Sequence, residues 1–240
     1  MKYGEHKLRH ELKYFVNYHE YQYLHNRLLN ALELDKYAAL TGSYHIRSLY
    51  FDDIYQTALE EKEAGVLLRR KFRIRIYNIS DRVIKLEKKS KFGQYISKTS
   101  KSITKDQFYR LLDNDCGFLL ESGDKLFREF YIEIKNNLMR PVVIVDYDRE
   151  AFVFEAGNVR ITFDQGLRAG INSFDIFDST VVTKGIFNSP MMIMEVKYDS
   201  FLPAHIHDLI QITNHNLTAA SKYVMCHHVK SGIRYLPIGG

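Results

Sequence analysis

Three glutamates in this chain, Glu11, Glu87 and Glu195, each stand two residues ahead of a lysine: Lys13, Lys89 and Lys197. On a β-strand that spacing puts both side chains on one face. A carboxylate beside an ammonium group suits a site that handles a metal and a phosphate together. The hard cation takes the carboxylate oxygens, and the phosphate takes charge-assisted hydrogen bonds from Lys or Arg. Cations recur at the same spacing in Arg73-Ile74-Arg75-Ile76, Lys85-Leu86-Glu87, Tyr147-Asp148-Arg149 and Arg160-Ile161-Thr162-Phe163-Asp164. Each segment presents Arg, Lys and Glu on one face and Ile, Val, Leu or Phe on the other. Charged faces that line a common cavity make a site for something long and strongly anionic. Phosphoryl transfer needs mainly positioning and charge neutralisation, so a cationic lumen with one metal is enough machinery.

The commoner meaning of such alternation is an amphipathic sheet with its charged face in water. Two features argue against it here. Arg73 and Arg75 share a face with no acid between them, and the apolar faces are heavy enough to need cover from helices. Formal net charge is only +5, so the asymmetry lies in distribution. Acids cluster at Asp52-Asp53, Glu60-Glu61 and Asp113-Asn114-Asp115, whereas cations recur at strand spacing.

The elements that position these residues are short and scattered. Strands are expected at residues 9–15, 45–51, 70–78, 82–89, 95–102, 142–149, 150–155, 158–164 and 191–198, with turns at Ser80-Asp81 and Phe92-Gly93. A helix is expected over 17–33, where Asn17 and Glu20 form a capping box, and another over 104–112, opened by Thr104 and Gln107. Further helical stretches fit 55–63, 124–136, 203–214 and a last turn or two from Thr218. The pattern is α+β with a largely antiparallel sheet. With no repeat or linker in its 240 residues, one domain over 1–240 is the expectation. No run approaches the roughly 18 apolar residues of a spanning helix, and the first residues lack the apolar core of a secretory signal. Cys116 and Cys226 read as plain thiols of a reducing compartment, so a cytoplasmic location is expected.

Other signals carry less chemistry. His205 and His207 lie two apart in an expected helix and face different ways, and His227-His228 are adjacent, so neither pair chelates well. The seventeen tyrosines and fifteen phenylalanines fall mostly on outer or helical faces, which is core packing rather than base stacking. Ser221-Lys222 lacks an oxyanion-hole signature to make it a nucleophile pair. Glycine-rich phosphate loops are absent, so any nucleotide is held by side chains.

The charged strands, taken in order, resemble the catalytic domain of the vacuolar transporter chaperone (VTC) polyphosphate polymerases, within the CYTH-like triphosphate tunnel metalloenzymes. The resemblance is carried by Arg-His-Glu-Leu-Lys-Tyr at 9–14, Ser-Leu-Tyr-Phe-Asp at 48–52, Phe-Arg-Ile-Arg-Ile-Tyr at 72–77 and Leu-Glu-Lys-Lys at 86–89. Tyr-Asp-Arg-Glu-Ala-Phe at 147–152, Val-Arg-Ile-Thr-Phe-Asp at 159–164, Met-Glu-Val-Lys at 194–197 and Ser-Lys-Tyr at 221–223 continue it. It implies a closed antiparallel β-barrel tunnel with a charged lumen and helices packed outside. It also implies transfer of the ATP γ-phosphate to a growing polyphosphate chain, with Mn²⁺ or Mg²⁺ as cofactor, ATP and polyphosphate or triphosphate as ligands, and no nucleic acid.

Position by position, the resemblance implies that Lys13, Arg73, Arg75, Lys89, Lys98, Arg149 and Arg160 bind triphosphate or chain, that Glu195 holds the metal and that Lys222 meets the reacting phosphates. On the strand argument Lys85, Lys197, Glu11 and Glu87 point into the same lumen, the glutamates as further metal ligands. Ala58 stands where the family carries a basic residue, so that charge is absent or comes from Lys62 or Arg70. Three other functions stay open: a tunnel hydrolase of inorganic or nucleoside triphosphate, a non-catalytic binder of polyphosphate or inositol polyphosphates, and a nucleic-acid-binding barrel.

Overall fold

Alternating strands need a cover for the apolar face and an enclosure for the charged one. The computed structural model, which describes residues 2–3, 6–211, 218 and 220–233, has both. Eight long strands carry the charged segments: β1 (Arg9–Asn17), β2 (Tyr44–Asp52), β3 (Leu68–Tyr77), β4 (Ser80–Phe92), β5 (Tyr95–Ser102), β6 (Arg140–Phe154), β7 (Val159–Gly170) and β8 (Met191–Tyr198). They pair antiparallel in the order β7-β8-β1-β5-β4-β3-β2-β6, and β6 pairs back onto β7 to close a barrel. The β1–β5 joint is the shortest, with only Arg9 opposite Ile96 and His10 opposite Tyr95.

Helices α1 (Tyr18–Leu29), α2 (Thr57–Glu63), α3 (Lys105–Leu112), α4 (Lys125–Asn136), α5 (Ala204–Ile210) and α6 (Lys222–Lys230) complete the frame. The capping boxes at Asn17/Glu20 and Thr104/Gln107 form as the sequence requires, and Asp124 caps α4. Phe108 and Leu111 of α3 and Phe127, Phe130 and Ile134 of α4 bury Leu49, Phe72, Ile74 and Leu86 of the barrel wall. Leu24 and Leu28 of α1 and Ile206 and Ile210 of α5 do the same for Phe152, Ile161, Phe163, Met194 and Val196. The apolar faces that these four helices cover therefore point outward. The charged half is left to the lumen.

Several boundaries differ from the expected ones. The β3–β4 turn is Asn78-Ile79, both at positive φ (52° and 49°), so Ser80 and Asp81 belong to the strand. The primed geometry that a right-twisted hairpin prefers places the turn there. Residues 142–149 and 150–155 are one strand, because the charged stretch at 148–150 continues the ladder rather than breaking it. Strand β7 outruns its expected end through a bulge between Gln165 and Arg168, with Gly166 at φ +58°. The inserted residue shifts the parity, so Leu167 and Ala169 share the inward face of Asp164. Helix α1 ends at Leu29, and α5 ends at Ile210 rather than 214, residues 212–214 lying outside those described. Helix α6 begins at Lys222, capped by Ser221, rather than at Thr218.

Candidate functional site

Strand parity and register together bring the charged residues to one place. Lys13 of β1 lies opposite Glu195 of β8, and Glu11 opposite Lys197. Asp164 lies opposite Arg149, Arg73 opposite both Tyr50 and Glu87, and Lys71 opposite Lys89. All of these but Asp164 and Glu87 line a cavity of about 190 Å³. Eleven basic side chains and two carboxylates line it. Among them are nine of the expected residues: Glu11, Lys13, Arg73, Arg75, Lys89, Arg149, Glu195, Lys197 and Lys222.

Lys222 enters from the first turn of α6, next to the Ser221 cap. That helix packs Val224, Met225, Cys226 and Val229 into the apolar cluster of Val143, Val145, Leu167, Ala169 and Ile193, which share the inward faces of their strands with the charged residues. The Lys222 ammonium sits 2.5 Å from Asp164 and donates to Glu195 at 2.7 Å. Arg149 donates two bonds to Asp164, at 2.6 and 2.7 Å, the bidentate fork for which guanidinium is shaped. Glu195 also accepts from Lys197 at 2.5 Å and lies 3.6 Å from Lys13. Burial alone would raise the Glu195 carboxyl, but Lys197, Lys222, Lys13 and Arg149 outweigh it and hold the group well below the usual carboxylate range. Burial would likewise lower Lys222. The Asp164 and Glu195 carboxylates reverse that and fix the ammonium as charged.

A second group surrounds Glu11, which accepts from Lys89 at 2.8 Å and lies 3.2 Å from Lys13. A third holds the two arginines. Arg73 pairs with Glu87 at 2.6 Å and donates to the Tyr50 hydroxyl at 2.8 Å, while Arg75 donates to Ser48 and Tyr147, both at 3.0 Å. The acid missing between Arg73 and Arg75 in sequence is thus supplied by the neighbouring strand.

Four expected residues do not line the cavity. Glu87 is committed to Arg73 and Lys98, and Lys98 is half-exposed. Lys85 donates to Ser102, and Arg160 pairs with Asp35 at 2.5 Å and with the Tyr44 hydroxyl. Ala58 is buried in the first turn of α2, its amide donating to Asp52 at 2.9 Å. Of the two basic residues considered in its place, Lys62, one turn further along the same face of α2, lines the cavity, whereas Arg70 points outward to Glu133.

Several lining residues went unread in the sequence. Arg69 and Lys91 continue the alternation beyond the expected strand ends, Lys71 continues it inside the strand expected over 70–78, and Asp164, which pairs with Lys222 without lining the cavity, lies on the same face as Arg160. The spacing rule that found Arg73 and Lys89 applies to all four. Tyr50 and Tyr147 carry no such signal, since an inward tyrosine and a core tyrosine look alike in sequence.

Burial of so many cations has a measurable consequence. Desolvation pulls Lys89 down to about 7 in spite of Glu11, and burial with the nearby Arg69, Lys13 and Lys91 takes Lys62 to about 8. Both lie below the ordinary lysine value of 10.5. Across about pH 7 to 9 the unfolded chain keeps protons that the folded barrel sheds, so stability rises with pH in that window. The melting temperature of the ligand-free protein is expected to climb from pH 7 to pH 9. A flat or falling profile would show that these ammonium groups are not desolvated together.

The VTC domain family matches residues 8–230. This chain belongs to that family. No curated protein is similar enough to count as a match. Among solved structures, this VTC domain is similar to a Hippeastrum adenylyl-cyclase candidate with a dominant triphosphatase activity. The TM-score is 0.57 at 15% identity, covering 96% of this chain and 97% of that one. It is also similar to an adenylate-cyclase candidate from Bacillus halodurans, with a TM-score of 0.47 at 12% identity over 84% of this chain and 86% of that one. At such identity the Hippeastrum likeness speaks for the fold alone. No helix among the described residues of this VTC domain is long and apolar enough to cross a membrane.

Proposed function

We propose that this VTC domain is a polyphosphate polymerase, which moves the γ-phosphate of ATP onto the end of a phosphate chain held in the barrel. The observation that carries the reading is the composition of the lining, with eleven basic side chains against two carboxylates inside a closed barrel. From Arg69 to Arg75 the cations run along about 20 Å of one strand, a length suited to a linear polyanion rather than to a single phosphate.

In this reading an oxygen of the chain's terminal phosphate attacks the γ-phosphorus. The bond from that phosphorus to the β,γ-bridging oxygen breaks, and ADP leaves with the electron pair. Attacking and leaving oxygens are both anionic, so the protein supplies placement and positive charge rather than a base. Arg73, Arg75 and Arg149 would hold equatorial oxygens, their guanidinium groups oriented by Glu87, Ser48, Tyr147 and Asp164. Lys222, kept charged by two carboxylates, would answer the charge that builds on the transferred group.

A divalent metal fits the donor set in a limited way. Among the described residues no three His, Cys, Asp or Glu converge. Glu11 and Glu195, however, line the same cavity and share Lys13 and Lys197 as neighbours. Two carboxylates suit a hard cation that takes its remaining ligands from phosphate and water, as Mg²⁺ or Mn²⁺ does. Such an ion would neutralise charge on the phosphates that Glu11 and Glu195 face.

Incubation of the purified protein with ATP and Mn²⁺ is expected to yield polyphosphate and ADP in matched amounts. Release of free phosphate without polymer would assign the barrel to triphosphate hydrolysis instead.

A further inference from the structure

Helix α6 meets the barrel through two kinds of contact. Val224, Met225, Cys226 and Val229 bury an apolar face, which sets the side that points inward but is non-directional. The directional contacts at its start come from neighbouring residues. Lys222 reaches Asp164 and Glu195, whereas Tyr223 donates its hydroxyl at 2.5 Å to Asp52, a carboxylate that does not line the cavity. Both partners of Lys222 act on the far end of a flexible four-carbon stem. The near end is placed by α6 itself.

Asp52 is well built to place it. It is the last residue of β2 and is 1% exposed. Besides the Tyr223 hydroxyl it accepts from the backbone amides of Asp53 at 3.0 Å, Ala58 at 2.9 Å and Leu59 at 3.1 Å. Three main-chain bonds therefore tie the carboxylate to the end of β2 and to the first turn of α2 before α6 adds a fourth. A hydrogen bond to an ionised acceptor is short and directional. Burial and the Asp52 charge push the Tyr223 phenol far above its ordinary value, so the hydroxyl stays a donor. The Tyr223 ring also stacks on Tyr50, with centroids 5.2 Å apart and planes at 25°, and the Tyr50 hydroxyl accepts from Arg73.

We infer that the Asp52–Tyr223 hydrogen bond is the positioning device for Lys222, fixing the first turn of α6 in the barrel so that the ammonium meets the transferred phosphate. This rests on the polymerase reading and deepens it by two positioning residues. Neither acts on the reacting atoms. The bond lets the barrel frame, through β2 and α2, decide where a side chain on a separate helix stands.

Tyr223→Phe keeps the ring and the three amide bonds to Asp52, and removes only the hydroxyl. Its kcat for ATP consumption is expected to fall about 10–100-fold, the scale of a misplaced reacting group, with KM for ATP within about twofold of wild type. Asp52→Asn keeps the shape and drops the charge. It is expected to lose a similar factor, and the Asp52→Asn/Tyr223→Phe double variant no more than either alone. The sharpest comparison adds Tyr223→Phe to Lys222→Met. With no ammonium left to place, the rate is expected to change by less than about twofold. A tyrosine with a merely structural role would lower the melting temperature and leave kcat alone. An equal fall in both backgrounds would mean that Tyr223 acts on something other than Lys222. Either result overturns the inference.

The two proposals fail separately, because ATP consumption is read whatever the product. Free phosphate in place of polymer, with Tyr223→Phe still silent in the Lys222→Met background, loses the polymerase and keeps the positioning role. Polymer made at a rate indifferent to Tyr223→Phe loses only the positioning role. If no ATP is consumed, crystal structures of wild type and Tyr223→Phe decide. The inference requires the first turn of α6 to shift by about 0.5 Å or more, and an unmoved turn overturns it.

Discussion

Lys222→Met is expected to lower the rate of polymer formation by about 10²–10³-fold while leaving the barrel folded. The lysine is 8% exposed and touches Asp164 and Glu195 at once, so no water can take over its charge at that point. Its ammonium is held in place by groups that do not depend on substrate, which is the preorganisation that makes such a charge effective. The fold will be weakened. Removing one partner of a buried pair costs about 3–5 kcal/mol, because the other is left unbalanced. Here Arg149 still holds Asp164 and Lys197 still holds Glu195, so the loss should sit at the low end. Lys222→Arg separates the two effects, since it keeps the charge and misplaces it. The arginine variant is expected to recover the melting temperature and little of the rate. Full activity in the methionine variant, with wild-type metal dependence, would remove Lys222 from the reaction.

Glu195→Gln is expected to cost a comparable factor and, unlike Lys222→Met, to change the response to metal. Glu195 pairs with both Lys222 and Lys197, and its neighbours keep it ionised throughout the physiological range. The amide retains the shape but gives up the charge that would hold a hard cation against phosphate. Raising Mn²⁺ should therefore fail to restore the rate. Glu11→Gln, which leaves Glu195 in place, should shift the Mn²⁺ requirement upward and be rescued by excess metal. Equal behaviour of the two variants would indicate that the carboxylates serve only to neutralise lysines. The same comparison tests Glu87. It lies outside the cavity lining and is bound to Arg73 and Lys98, so Glu87→Gln should loosen Arg73 and weaken phosphate binding without altering the metal response.

The barrel was legible because its chemistry and its folding use the same alternation. Arg73 and Arg75 face inward for the reason that Ile74 and Ile76 face outward, and reading one face gives the other. Strand ends were harder. Arg69, Lys71 and Lys91 obey the rule but lie where neighbouring residues stop alternating cleanly: Val66, Leu67 and Leu68 are exposed apolar residues, and Phe92 precedes the Gly93 turn. Parity also breaks at a bulge that no residue type announces except Gly166, so the inward placement of Leu167 and Ala169 under α6 could not be read. Arg160 shows the opposite limit. Its strand position is inward, but its long side chain reaches Asp35 and Tyr44, residues distant in sequence whose approach depends on how the chain after α1 folds back on β6. Spacing fixes a face. It does not fix a partner.

A crystal of the protein soaked with tripolyphosphate and Mn²⁺ would put the enclosed lumen to the test. Phosphate density is expected inside the barrel, in contact with Arg73, Arg75, Arg149 and Lys222, with the metal beside Glu195. Phosphate bound only on the outer surface, with the lumen unchanged and its lysines still paired to Glu11 and Glu195, would contradict it.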